Sequence, residues 1–367
     1  MHLKMLSLAL IVFMGCGDDT DFTATDGDDD QQVGSASLSV MTRNLYLGGD
    51  ISDALQPGCE GLLVLGCLAG IYNDVQTSDI PGRMAAVADE IMEHEPDLVG
   101  LQEVATFFIQ DPGDQLPGQD GTQATDVAFN LLELLEAELL NRGLAYSVAA
   151  TNVNIDTEVP SSEDNVNFID LRLVDSDVIL VKDGIEVNET VGGNFEASQQ
   201  FGVSGFDINI VRGYSAASVT VDDIDMWFVN SHLEVGGPFV QTQIDQATEL
   251  LTALSVLSGP MMVVGDFNSN PTNDGAGGEA YSLLTAEYND MWDEQAMPDG
   301  NTCCQDGDLR NPESDLSSRI DLILADEDFS TDAIERVGID PGNRVGDELL
   351  WPSDHAGVVA DLIFSNE

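Results

Sequence analysis

What most limits the fold of this chain is a set of short apolar runs that end on, or begin from, polar residues. "ASLSVMTRN", "DLVGLQEV", "DMWFVNSHLE", "MMVVGDFNSNP", "SRIDLILAD" and "AGVVADLIF" are rich in β-branched residues and too short for buried helices, so they predict strands, the last two being the final strands of the fold. "AYSVAAT", "SDVILVKDG" and "RGYSAASVTV" add more, the last as a neighbour of "DMWFVNSHLE". Between them the apolar spacing turns helical. Met84, Val87 and Ile91 share one face of a helix that starts near Arg83 and is stopped by Pro96, and residues 238–257 repeat that period. Another helix is expected from about Ala124 to Arg142, ending at Gly143, while residues 48–82 read as an irregular insertion. Strands mixed with helices, with no internal repeat or composition break, predict one α/β domain over residues 37–367.

The side chains able to do chemistry fall at the ends of these strands: Asn44, Glu103, His232, Asp266, Asn268, Asp321 and the pair Asp354–His355. Stacked sheets collect such ends on one rim, where a cleft forms. A single acid there means little in a chain with 67 aspartates and glutamates. The joint placement is informative, because solvated acids would scatter over loops. His94, between Glu93 and Glu95, reads as a solvated residue.

The segments "TRNLYLG", "LVGLQEV", "FVNSHLE", "VVGDFNSNP", "SRIDLIL" and "WPSDHAGVV" resemble, in the same order, the successive motifs of the endonuclease/exonuclease/phosphatase superfamily. The resemblance runs over about residues 38–364. It implies a four-layer sandwich, two mixed β-sheets packed face to face with helices on the outside, and an active site at one rim. It also implies hydrolysis of phosphodiesters with a divalent metal. Glu103 resembles the metal-binding carboxylate, with Asn44 beside it and Asp354 assisting; magnesium, or alternatively manganese or calcium, suits such oxygen ligands. Asp266 and Asn268 resemble the pair that handles the attacking water and a phosphate oxygen. His355 resembles the family's base-like histidine, and Asp321 the carboxylate that fixes its tautomer. His232 resembles the second histidine of the deoxyribonuclease and sphingomyelinase branches, at the phosphate or leaving group. Among the few arginines, Arg43, Arg172, Arg212 and Arg319 lie in or beside motif segments. Arg212 is the best candidate to bind substrate phosphate, whereas structural salt bridges explain Arg43 and Arg319 equally well.

The N-terminus reads as an address. His2 and Lys4 precede an apolar run, Met5–Met14, that is shorter than the ~20 residues needed to span a bilayer. It leads to "FMGC", which resembles a bacterial lipobox although Phe13 stands where leucine is usual. Residues 1–16 are therefore expected to be a signal peptide with Cys16 lipidated, a plain secretory signal being the alternative. Residues 17–36, opening with "GDDTDFTATDGDDD", are expected to form an acidic disordered tether. The protein would then be exported, either lipid-anchored in the cell envelope (periplasm or cell surface) or secreted. It would act as a monomer and touch a membrane only through that lipid.

With Cys16 lipidated, Cys59, Cys67, Cys303 and Cys304 remain and three pairings are open. Cys59 and Cys67 flank a short Gly-Leu segment, and the vicinal pair needs a strained ring or partners elsewhere. A metal site is less expected, because adjacent cysteines lack the usual ligand spacing.

Charge bears on the substrate. With 67 acidic against 11 basic side chains the formal net charge is −56, a field that repels polyanions. Screening and metal bridging still admit nucleic acid, while a zwitterionic phospholipid or a small organophosphate meets less repulsion. The expected function is a Mg-dependent phosphodiesterase, with an extracellular nuclease or a sphingomyelinase-type phospholipase as alternatives. A non-catalytic binding lipoprotein would have lost several motif residues, and all are present.

Overall fold

A computed structural model describes residues 35–366, apart from 60, 62, 116–120, 204–205, 273–276, 294–296 and 299. The expected signal, Cys16 and nearly all of the expected tether lie outside the described residues. The first strand starts at Ser35, just before the expected domain boundary.

Two sheets carry the fold. In the larger, neighbouring strands run in the order Phe329–Val337, Gly357–Ser365, Ser35–Asn44, Leu98–Gln102, Ile169–Lys182, Thr106–Gln110 and Asp126–Asn130, and Tyr146–Ser161 also pairs with Ile169–Lys182. In the smaller the order is Asn289–Asp290, Asp321–Ala325, Met261–Asp266, Ile224–His232, Gly213–Val221 and Glu186–Asn194. Both are mixed: Ser35–Asn44 runs parallel to Leu98–Gln102, and Ile224–His232 parallel to Met261–Asp266.

Alternation along the strands explains the layers, since successive side chains point to opposite faces. Val40, Leu98, Ile179, Phe228, Met262, Val264, Ile323 and Val358 meet between the two sheets. On the same strands Met41, Val99, Leu101 and Val178 turn outward and pack on Met84, Val87 and Ile91 of the helix Ile80–His94 and on Leu135 of the helix Leu131–Asn141. On the other side Val229, Val263 and Leu322 pack on Ala247, Leu250 and Leu254 of the helix Val240–Leu254. Helix, sheet, sheet, helix is the expected four-layer sandwich.

Several elements differ from expectation. The insertion at 48–82 holds a helix, Leu63–Thr77, which buries Val64, Leu65 and Val75. Gly66 and Gly70 hide it, each lowering helix propensity by about 1 kcal/mol relative to alanine, which apolar packing offsets. The helix expected from Ala124 starts at Leu131, because Asp126–Asn130 pairs as a strand with Thr106–Gln110. Asn130 caps that helix, its side chain accepting from Glu133 N at 3.2 Å. The helix expected near Arg83 starts at Ile80, where Asp79 caps it and Pro81 occupies its first turn. The edge strand Phe329–Val337 separates the two strands expected to come last; largely solvent-exposed, it lacks the apolar signature of a central strand. Cys59 pairs with Cys67 and Cys303 with Cys304, one of the three pairings left open.

Candidate active site

Register puts three of the expected residues in one row. His232 lies opposite Asp266 on the parallel neighbour, and Asp266 opposite Asp321 on the antiparallel one. Asn44 and Gln102 end paired strands of the other sheet, and Glu103 follows in a left-handed conformation with φ of 55°. Both sheets therefore deliver polar residues to the same rim.

His355 is buried, and its Nδ1 lies 2.8 Å from Asp321 Oδ2. The loop before it is fixed from three sides. Its backbone N–H donates to Ser353 Oγ at 3.1 Å, Ser353 Oγ donates to Asn44 O at 2.8 Å, and the Arg43 guanidinium donates to the His355 carbonyl. Burial opposes a charged imidazole, but Asp321, Asp354 and Asp266 outweigh it and hold His355 well above the usual histidine range.

His232 is in the opposite state. Burial, then the Arg212 guanidinium and His355, push it well below the usual range, so it is neutral. Arg212 Nη1 lies 2.9 Å from His232 Nδ1, and a guanidinium can only donate. His232 therefore carries its proton on Nε2, and Asp266 Oδ2 is 3.5 Å from that nitrogen.

Asp266 Oδ2 is the hub of the site. Besides His232 it lies 3.8 Å from His355 Nε2 and accepts from Asn44 Nδ2 at 3.1 Å. Its other oxygen accepts from Asn268 N at 2.9 Å, in a turn where Asn268 takes a φ of 50°. Asn268 Nδ2 donates to Leu233 O at 3.0 Å and stands 3.3 Å from His232 Nε2. Burial and the neighbouring Asp321 push Asp266 up to about 7.

Glu103 lies beside this hub. Asn44 Nδ2 donates to Glu103 Oε1 at 3.1 Å and Leu47 N donates to Glu103 Oε2 at 2.9 Å. Asn44 turns its amide nitrogen to the carboxylates while its Oδ1 accepts from Tyr46 N, so as it stands it clamps Glu103 to Asp266. Burial pushes Asp354 up to about 6, His355 pulling it down and Glu103 adding to the rise. Asp321 Oδ1 is buried and accepts no hydrogen bond from the described residues. Glu103 and Asp354, close enough that Glu103 adds to the proton affinity of Asp354, are oxygen donors that fit a hard divalent cation.

Of the motif arginines, Arg212 alone has its guanidinium against the ring of a candidate histidine. Arg43 forms a buried pair with Glu90 at 3.0 Å, Arg319 pairs with Asp290 at 2.7 Å, and Arg172 holds Asp156 at 2.7 Å, so structural salt bridges account for these three. His94 is half-buried, 3.7 Å from Glu335.

Two residues at the site were not anticipated. Asp175 and Asp177 are fully buried on the strand Ile169–Lys182, and Asp177 Oδ1 lies 3.8 Å from His232 Nδ1. Their signal is "VDSDVIL", two acids at alternate positions of an apolar strand, which aims both at one face.

A two-sheet sandwich with this carboxylate and histidine rim belongs to a known class. The model of the Endonuclease/Exonuclease/phosphatase family matches residues 74–355, and the chain belongs to that family. Among solved structures it is similar in fold to a family member from Bacteroides thetaiotaomicron, at 17% identity and a TM-score of 0.52, covering 91% of this chain and 99% of that one. A mannosyl-6-phosphatase of the same organism matches at 16% identity and a TM-score of 0.51, covering 89% and 100%. TDP2 of D. rerio complexed with a single-strand DNA product matches at 15% and 0.51, covering 89% and 98%. No curated protein matches the chain.

Proposed function

We propose that the chain is a divalent-cation-dependent phosphoesterase that hydrolyses phosphodiesters by attack of water. The observation that carries this reading is Asp266 Oδ2 set between the imidazoles of His232 and His355, at 3.5 and 3.8 Å. Glu103 and Asp354 are the residues that would hold the cation, Asn44 orienting Glu103. A bound cation would supply charge stabilisation at a phosphoryl oxygen. Asp266, with a proton affinity near neutrality, takes the proton of the attacking water. The sequence favoured His355 for that role; its positive state suits it instead to hold developing phosphoryl charge, with Asp321 keeping its ring in place. His232, neutral and protonated on Nε2, donates toward the leaving oxygen, and Arg212 keeps it in that tautomer. Asn268 positions a phosphoryl oxygen.

The structural neighbours include a mannosyl-6-phosphatase and a TDP2 complexed with a single-strand DNA product, so the fold serves phosphate substrates of different kinds. The net charge of −56 favours a diester of low charge, a phospholipid headgroup or a small organophosphate, over a polyanionic nucleic acid. The test compares bis-p-nitrophenyl phosphate, p-nitrophenyl phosphate, DNA and sphingomyelin, each with Mg2+ and with EDTA. Turnover of diesters abolished by EDTA and restored by Mg2+ is expected; turnover indifferent to chelator would sink the reading.

Export, with the domain tethered through lipid on Cys16, is supported by the "FMGC" segment after an apolar run and by the acidic stretch behind it. Mass spectrometry of the mature N-terminus should find an acylated Cys16, and a product starting downstream without acyl mass counts against it.

A further inference from the structure

The vicinal pair Cys303–Cys304 takes no part in the proposed hydrolysis, yet it stands against the site. Cys304 Sγ lies 4.0 Å from His355 Nε2. The backbone keeps it there, since Cys303 bridges both Ser318 and His355, with Cys303 N donating to Ser318 O at 2.9 Å. One sulfur from each cysteine and a ring nitrogen of His355 lie within 4.8 Å of one another. A tetrahedral zinc ion has bond lengths of about 2.3 Å to sulfur and about 2.0 Å to nitrogen, so its ligand atoms sit roughly 3.5–3.8 Å apart. The three donors are thus within modest side-chain rotation of that spacing. His355 is also presented as metal-binding histidines usually are: its Nδ1 meets a carboxylate, Asp321 Oδ2, at 2.8 Å, which orients the ring and strengthens Nε2 as a donor. As a disulfide the sulfurs offer no thiolate.

We propose that reduction of Cys303–Cys304 creates a site for a thiophilic divalent cation of the zinc class, with the two thiolates and His355 Nε2 as ligands and a fourth position open. The chemistry balances with a dithiol as reductant. It gives two electrons and two protons to the disulfide and leaves as its own cyclic disulfide; the cation then displaces the two thiol protons and the proton that His355 carries on Nε2. Cys304 is exposed, so a small reductant reaches the bond. The cation takes the same ring nitrogen that faces Asp266, so occupancy and the proposed hydrolysis exclude one another. Binding itself does not depend on that proposed function.

The full chain is reduced with dithiothreitol, desalted without oxygen and titrated with Co2+ as a spectroscopic substitute for zinc. The same is done with a chain carrying Cys16→Ser, Cys59→Ser and Cys67→Ser, in which only the vicinal pair remains. Both should show thiolate-to-cobalt charge-transfer absorption that saturates at about one equivalent per chain and is displaced by Zn2+. It should be absent without reduction and lost in Cys303→Ser with Cys304→Ser. His355→Gln, with folding checked by circular dichroism, should weaken Zn2+ binding by roughly tenfold or more while keeping the thiolate band. Three results overturn the proposal: no charge-transfer band although free thiols are titrated, a band that survives Cys303→Ser with Cys304→Ser, or unchanged affinity in His355→Gln. None of these readouts involves hydrolysis, so failure here is distinguishable from failure of the proposed function.

Discussion

Asp175 and Asp177 face the same buried side of one strand, where a carboxylate is costly unless something cationic shares it. Arg212 is the group nearest to filling that role, His232 being neutral. Burial, then the nearby Glu103, push Asp175 up to about 7, and burial with Asp175 pushes Asp177 well above the carboxylate range. A carboxyl raised in the folded state binds its proton more tightly there than in the unfolded chain, so its cost to stability is absent below about pH 4 and grows until pH 7. Asp175→Asn should therefore stabilise the metal-free protein, by on the order of 2–4 kcal/mol at pH 8 and much less at pH 5. Urea denaturation at both pH values measures this, and an equal or opposite effect at pH 8 would refute the burial argument. That these acids escaped the sequence reading has a plain cause. In a chain with 67 acids an Asp-x-Asp pair carries little signal, and its burial depends on strands distant in sequence. Asn44, Glu103, His232, Asp266, Asp321 and His355 were legible because each sits where an apolar run stops or starts, a feature local to the chain. Their charge states were not legible, since these arise from which groups meet across the two sheets.

Among the elements, the strand Met261–Asp266 does most to position the site, because it delivers Asp266 and the turn to Asn268. Gly265, next to Asp266, has a φ of 149°, and a Cβ there would fall 1.8 Å from Ser231 O on the parallel neighbour. Glycine is thus required by the close approach of two backbones. Gly265→Ala should cost roughly 2–4 kcal/mol of stability, as strain at a special backbone position does. Chemical denaturation reads this directly, and an unchanged midpoint would show that the strands part without penalty. Central strands such as this one were legible from their apolar runs. Less so were the helix Leu63–Thr77, interrupted by glycines, the strand Asp126–Asn130, and the exposed edge strand Phe329–Val337. In those three the pattern is weak locally, and packing against the rest of the domain decides the conformation.

For the molecule as a whole, charge and site pull in one direction. A net charge of −56 repels polyanions at low salt, so under the proposed function the rim would draw its substrate by local contacts: a cation that Glu103 and Asp354 would hold, Asn268 and the two imidazoles. Four layers hold these groups rigidly, with both sheets contributing to one rim, and the family match over residues 74–355 accords with that architecture. The central claim is that Asp266, between the two imidazoles, is the group through which water attacks a phosphodiester. It is tested most directly by kcat for bis-p-nitrophenyl phosphate in Mg2+, wild type beside Asp266→Asn, with folding of both verified by circular dichroism. The account predicts turnover by the wild type and a loss of roughly 10²-fold or more in the variant. A folded Asp266→Asn protein that kept the wild-type kcat, or a wild type inert toward the diester in Mg2+, would contradict it.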